Sequence, residues 1–193
     1  MDLSVTFLGT GGPVPTALRN TASVLITRGG EKLMFDCGEG TQRQMRCSVG
    51  LTPVQQIGLT HFHRDHGLGL PGLLKTYDLG DRTEPMRIFG PAGLEKLLSD
   101  WHPMIGRLGF HLEVEEIAAG DIIAHDGYEV EVFKAEHSSP NAVGYAMLED
   151  DRPGRFDPEV ARQLGVAEGP DFKLLQSGQA VTGSNGAVRP DQV

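Results

Sequence analysis

The sequence holds three histidines and an aspartate within six residues, His61-Phe62-His63-Arg64-Asp65-His66. In extended chain, side chains two apart point the same way, so His61 and His63 can converge on one ion from a strand end. Asp65 and His66, one turn further on, can face a second ion. Neutral imidazole and carboxylate oxygen suit zinc, and a metal with an open position lowers the pKa of bound water to about 7. Two such ions would bridge one hydroxide and clamp both the entering and leaving oxygens of a phosphoryl displacement. The competing reading is a chance cluster of polar residues in an exposed loop. Its place at a strand exit, followed by Gly67-Leu68-Gly69-Leu70, argues for the metal-dependent hydrolase.

His137 offers a fifth ligand, because it follows a strand and precedes Ser138-Ser139-Pro140. A histidine in that position, taken alone, is more often structural. His102, His111 and His125 have no partner at metal spacing and read as surface or packing residues. Asp36-Cys37-Gly38-Glu39-Gly40-Thr41 can set a carboxylate beside the metal loop and turn backbone N–H groups toward an anion. An ordinary glycine turn fits those residues equally well. Gly9-Thr10-Gly11-Gly12 lacks the Lys-Ser/Thr ending of a P-loop and the order of a dinucleotide fingerprint, so it reads as a turn near the site.

The elements that must position these residues follow from hydrophobic pattern. Residues 3–8 alternate apolar and polar and meet a Gly/Pro turn, and strands at 22–27 and 32–35 flank Gly29-Gly30, which predicts an opening β-meander. A short helix over 41–49 and a buried strand over 56–59 lead into Thr60-His61. Residues 68–79 read as a helix with Pro71 in its first turn, then strand 87–89, turn Gly90-Pro91 and helix 94–104 repeat the order. Strands follow at 110–117, 128–134 and 142–148. This alternation predicts an α/β sandwich. From Glu149 the texture changes to a short helical segment at 158–164 and a Gly/Ser-rich end, which reads as an exposed arm.

With 39% hydrophobic residues in 193, the chain can bury a core of one domain. Its formal charge of -9 excludes holding nucleic acid by bulk positive charge, so any such contact must be local. Cys37 and Cys47 are too few for a disulfide framework, and reduced thiols in a reducing compartment are expected. No basic leader precedes an apolar stretch and no apolar run reaches the ~20 residues that span a bilayer, so a soluble cytoplasmic protein is expected.

The string Thr60 to Leu74 resembles the metal motif of the metallo-β-lactamase superfamily and, within it, RNase Z, the endonuclease that removes the 3′ trailer from precursor tRNA. Further resemblance lies in 7–15, 35–44, 88–94, Glu136-His137-Ser138, Gly144-Tyr145 and 152–157, so it covers nearly the whole chain. It implies a metallo-β-lactamase-like αββα sandwich over 1–149, a tRNA-gripping arm over 150–182 and a return segment over 183–193. His61, His63 and His137 would hold one zinc, and Asp65 and His66 the other. Asp65 would also position or deprotonate the attacking water, and Asp36 would orient the metal loop by hydrogen bonding. Gly38, Glu39, Gly40, Thr41, Gln42 and Arg43 would line the approach of the RNA backbone, and Gly169-Pro170 would form the arm's tip.

Between Glu149 and Gln176 stand seven acidic and four basic residues, so that arm would grip RNA by shape and backbone contacts rather than by charge. The resemblance implies precursor tRNA as substrate and a homodimer. It also implies roughly a hundred further residues carrying a bridging aspartate and another histidine, which Asp191 does not match. The expectation is therefore a sandwich with its second half incomplete, inactive or unstable alone, or completed by a separate C-terminal polypeptide. The alternatives are a related hydrolase of small phosphodiesters or aryl sulfates and a non-catalytic fragment.

Overall fold

Alternation of apolar residues sets the first sheet. β1 (Leu3–Gly9), β2 (Ser23–Arg28) and β3 (Glu31–Phe35) form the expected antiparallel meander. β4 (Gln56–Gly58), β5 (Met86–Gly90) and β6 (Leu112–Glu116) then join it in parallel, giving the order β1-β2-β3-β4-β5-β6. The connections carry α1 (Thr41–Ser48), the single turn α2 (Arg64–Gly67), α3 (Leu70–Leu79) and α4 (Leu94–Ile105). The computed structural model describes residues 2–150 and 156–193. Residues 152–155 of the matched stretch 152–157, and residue 151 of the arm, lie outside the described residues.

Strand register decides which side chains face which layer. Met34, Ile57 and Ile88 are paired neighbours on one face and pack with Met45, Leu70, Leu73, Leu74 and Leu94 of the helices. Phe35, Gly58 and Phe89 are the next row and point the other way. There they meet a second sheet of β7 (Ile122–His125), β8 (Tyr128–Lys134) and β9 (Val143–Glu149), in that order, through Tyr128, Val130, Val132 and Val143. Gly58 has no side chain because a Cβ there would stand 2.4 Å from the Phe89 ring. A layer of helices, a mixed sheet and a second sheet result. The edge strand β1 leaves Leu3, Val5 and Phe7 exposed at 47%, 52% and 67%.

The strand β7 was not expected from sequence. Its four residues Ile-Ile-Ala-His bury only Ile123 between two turns, too short a run to show a period.

Residues 149–193 form their own compact unit. The sequence reads as an exposed arm without core, whereas Ala161, Val166, Leu175, Val181 and Val188 are buried together. α5 (Pro158–Gln163) starts at Asp157, whose Oδ1 accepts from the Glu159 and Val160 amides at 3.0 and 3.2 Å, with Pro158 in the first turn. α6 (Pro170–Gln176) and the hairpin of β10 (Val181–Gly183) and β11 (Gly186–Val188) complete it. Phe156 packs edge-on against Phe172.

Candidate metal centre

Because β3, β4 and β5 run parallel, their carboxyl ends share one edge, the usual place for a site in such sheets. Asp36 leaves β3 there and Leu59-Thr60-His61 leaves β4. α2 opens at His63, whose carbonyl accepts from the His66 amide at 3.0 Å, so one turn of helix brings Asp65 and His66 round beside His61. His137 arrives from the loop after β8, whose base is closed by Ala135 N–H to the Ala142 carbonyl at 3.0 Å and by Val143 N–H to the Thr60 carbonyl at 2.9 Å.

The structure brings His61, His63 and His137 together with one ligand nitrogen each, all within 4.8 Å of one another. His63 Nδ1 and His137 Nε2 stand 3.1 Å apart. His66 lies alongside, its ring centroid 4.1 Å from that of His61, and its Nε2 is 3.4 Å from Asp65 Oδ2. Five candidate ligands therefore meet as a trio and an adjoining pair.

Asp36 holds this arrangement from behind. Its backbone is left-handed, φ 59°, which turns the buried carboxylate toward the metal loop. Oδ1 accepts from the Thr60 amide at 2.8 Å and hydroxyl at 3.0 Å, and Oδ2 accepts from His66 Nδ1 at 2.7 Å. The Thr60 hydroxyl, having donated to Asp36, can accept from His61 Nδ1 at 2.9 Å. One carboxylate thus fixes the protons of two imidazoles on Nδ1, directly for His66 and through Thr60 for His61, leaving both Nε2 atoms as lone pairs.

Burial, then the neighbouring His66 and His137, push His61 down to about 4, so it is a neutral ring near pH 7. For His66 burial opposes charging, but the hydrogen bond and charge of Asp36 outweigh it and raise its pKa. His61 is 6% exposed and its Nε2 has no hydrogen-bond partner among the described residues. A buried acceptor without a donor is costly unless something electrophilic satisfies it. The donor set, three imidazoles with a carboxylate and a fourth imidazole alongside, fits zinc.

The stretch 38–43 divides. Gly38 and Thr41 are buried, contrary to the expectation that they line an RNA path. A Cβ on Gly38 would stand 2.2 Å from Thr21 Oγ1 and 2.3 Å from the Asp65 carbonyl, and the Thr41 hydroxyl donates to the Gly38 carbonyl at 2.7 Å. Both residues therefore serve close approach of the two loops. Cys37 N–H donates to the His66 carbonyl at 2.7 Å and Gly69 N–H to the Cys37 carbonyl at 2.9 Å, stitching those loops together. Exposed Glu39 and Arg43, with Gly40, border a cleft of about 420 Å³ that also runs past Arg19 and Asn20, while Gln42 is half-buried with its Oε1 accepting from Thr76. Gly9 to Pro13 reaches the site where Arg64 Nε donates to the Pro13 carbonyl at 3.4 Å.

Gly169 and Pro170 are exposed in the second unit, where they open α6. His125 packs flat on Tyr128, centroids 4.3 Å apart, in keeping with a packing role. Thr60 and Gly69 were missed by sequence reasoning; only their place within the histidine string marked them.

A helix, sheet and sheet layering with a histidine-rich turn at the strand ends defines a metallo-β-lactamase-fold protein. Solved structures agree: the metallo-β-lactamase fold protein YhfI of Bacillus subtilis is similar at 21% identity and TM-score 0.59, over 75% of this chain and 57% of that one. The short form of human tRNase Z is similar at 31% identity and TM-score 0.65, over 77% and 66%. Ribonuclease Z of Methanosarcina acetivorans is 44% identical over 194 residues, 99% of this chain and 63% of that protein. Ribonuclease Z of Haloferax volcanii is 48% identical over 200 residues, 100% of this chain and 62% of that protein. Residues 3–153 match the family described as Anti-Pycsar protein Apyc1. The chain belongs to that family and is a relative of the ribonuclease Z proteins on the metallo-β-lactamase fold. It spans 62–63% of the length of those two ribonucleases.

Proposed function

We propose that the chain carries the metal-binding part of a zinc-dependent endoribonuclease that removes the 3′ trailer from precursor tRNA, leaving a tRNA 3′-hydroxyl. The observation that carries this is the unpartnered, buried His61 Nε2 grouped with His63 and His137 in a relative of ribonuclease Z. His61, His63 and His137 hold one zinc, and Asp65 with His66 contributes to a second. Bound zinc supplies an acidified water and neutralises phosphoryl charge. The chain's own part is to hold the His61 and His66 Nδ1 protons through Thr60 and Asp36 so that the rings are aimed, to keep His61 neutral by burial, and to accept the water's proton at Asp65 Oδ2. Glu39, Gly40, Gln42 and Arg43 border the RNA approach, and Gly169-Pro170 engages tRNA by shape rather than charge. The remaining ligands of the second zinc come from sequence equivalent to the rest of the ribonuclease relatives. A cytoplasmic homodimer is the working assembly, and no helix among the described residues is long and apolar enough to cross a membrane.

The test is incubation of the protein with a precursor tRNA, alone and mixed with a C-terminal polypeptide equivalent to the rest of its ribonuclease relatives, with and without zinc, and mapping of both product ends. Zinc-dependent cutting at the trailer boundary is expected of the mixture and not of these 193 residues alone, and is lost in His63→Ala. The net charge of -9 favours a second reading, a hydrolase of small phosphodiesters. Turnover of bis(p-nitrophenyl) phosphate with no cutting of precursor would select it and reject the first.

A further inference from the structure

A cleft of about 610 Å³ opens beside the metal centre, with His137 in the wall the two share. Its floor is apolar, built from Ile117 at the end of β6 and Val143 at the start of β9, both at most 5% exposed. Its sides are alanines, among them Ala92, Ala119 and Ala135, so nothing large fills it. The rim is polar: Lys134, Glu136 and Asn141 stand exposed around the mouth. Asn141 takes the left-handed backbone, φ 67°, that lets the loop double back and bury Ala142 and Val143.

A ligand here must have flat or compact apolar faces, hydrogen-bonding edges, and a connection to whatever lies at His61, His63 and His137. A nucleobase meets all three conditions, since its faces are apolar, its edge carries donors and acceptors, and its sugar joins it to a phosphodiester. The volume lies in the ordinary range for small-ligand clefts. We infer that this cleft receives the base of a nucleotide flanking the scissile phosphodiester, with Lys134, Glu136 and Asn141 reading its edge. The inference rests on the metal centre being a phosphodiesterase, and not on tRNA being its substrate. Among the described residues His137 is the one aromatic ring in the lining and faces the metal centre, so the base is held by van der Waals contact with alanines and by edge hydrogen bonds, and discrimination between bases comes from the rim.

The probes are adenosine 5′-monophosphate and cytidine 5′-monophosphate, with ribose 5-phosphate as the base-less control, titrated into the zinc-loaded protein and followed by alanine methyl NMR shifts. The nucleotides should bind at least tenfold more tightly than ribose 5-phosphate and shift Ala92, Ala119 and Ala135. Ala119→Trp, at an exposed position, should abolish that difference while leaving ribose 5-phosphate binding unchanged, and Ala92→Leu, also exposed, should do the same from another wall. Equal affinity for all three probes, or nucleotide affinity unaltered in both variants, overturns the inference. Nucleotide binding of the expected kind without cleavage of precursor tRNA keeps the inference and rejects the endonuclease. Cleavage with no base-dependent binding does the reverse.

Discussion

Asp36→Asn changes one atom in the network behind the candidate metal centre. The left-handed backbone at φ 59° tolerates asparagine, so main-chain conformation is preserved. The wild-type carboxylate accepts from His66 Nδ1 at 2.7 Å and from the Thr60 amide at 2.8 Å. An asparagine can place its single oxygen toward only one of these. If the oxygen keeps Thr60, the NH2 group faces His66 Nδ1, which then accepts and moves its proton to Nε2, the atom needed for metal. If the oxygen faces His66, the NH2 group opposes the Thr60 amide, donor against donor. Either way a hydrogen bond to a charged acceptor, worth about 1.5–3 kcal/mol, is lost in a buried place. Removing such an orienting partner weakens metal binding about 10–100-fold. The assay is competition for zinc against a chromogenic chelator, run beside urea unfolding of both proteins. Affinity within twofold of wild type, in a variant that is still folded, would refute the claim that Asp36 sets the imidazole tautomers.

Gly69→Ala would place a Cβ 2.0 Å from the Gly38 carbonyl oxygen, a backbone atom that cannot swing away, and should cost about 3 kcal/mol in urea unfolding. Gly30→Ala, with nothing within 4 Å, should change stability by less than about 0.5 kcal/mol. The His125 side chain is largely covered, which pushes its pKa below the ordinary 6.5 despite Glu31. The unfolded chain therefore takes the proton first as pH falls, so this contribution to stability is complete above about 6.5 and is lost below it. Unfolding free energies at about pH 7.5 and 5.5 should differ less in His125→Phe, which keeps the stack on Tyr128, than in wild type; an equal slope counts against the assignment. Cys47 is exposed, whereas Cys37 is fully buried with its thiol pushed up to about 12, so a thiol reagent should label one cysteine in the native protein and two in urea.

The clustering of the candidate metal string was legible because its information is local: alternation along an extended strand exit, then one helical turn, sets the directions of His61, His63, Asp65 and His66. His137 was legible as a strand exit, but its meeting with His63 joins residues 74 apart in sequence, which no local pattern carries. Gly38 misled for a related reason. A turn that cradles a ligand and a turn that lets two backbones touch use the same residue, and only the approach of Asp65 and Gly69 to Gly38 distinguishes them. Thr60 was hidden because a threonine before a histidine has many uses, and its hydroxyl matters here only through Asp36. In the second unit, Val166, Leu175, Val181 and Val188 lie at irregular spacings and are brought together by turns, leaving no period to read.

The central claim is a zinc centre made by histidines that follow β4 of the mixed sheet, joined by His137 from the loop after β8 of the second sheet. Zinc K-edge absorption of the purified, zinc-loaded protein tests it most directly. A first shell of nitrogen and oxygen at about 2.0–2.1 Å, with the outer scattering of several imidazoles that is reduced in His137→Ala, is expected. A sulfur shell near about 2.3 Å, or a spectrum unchanged by loss of His137, would contradict it.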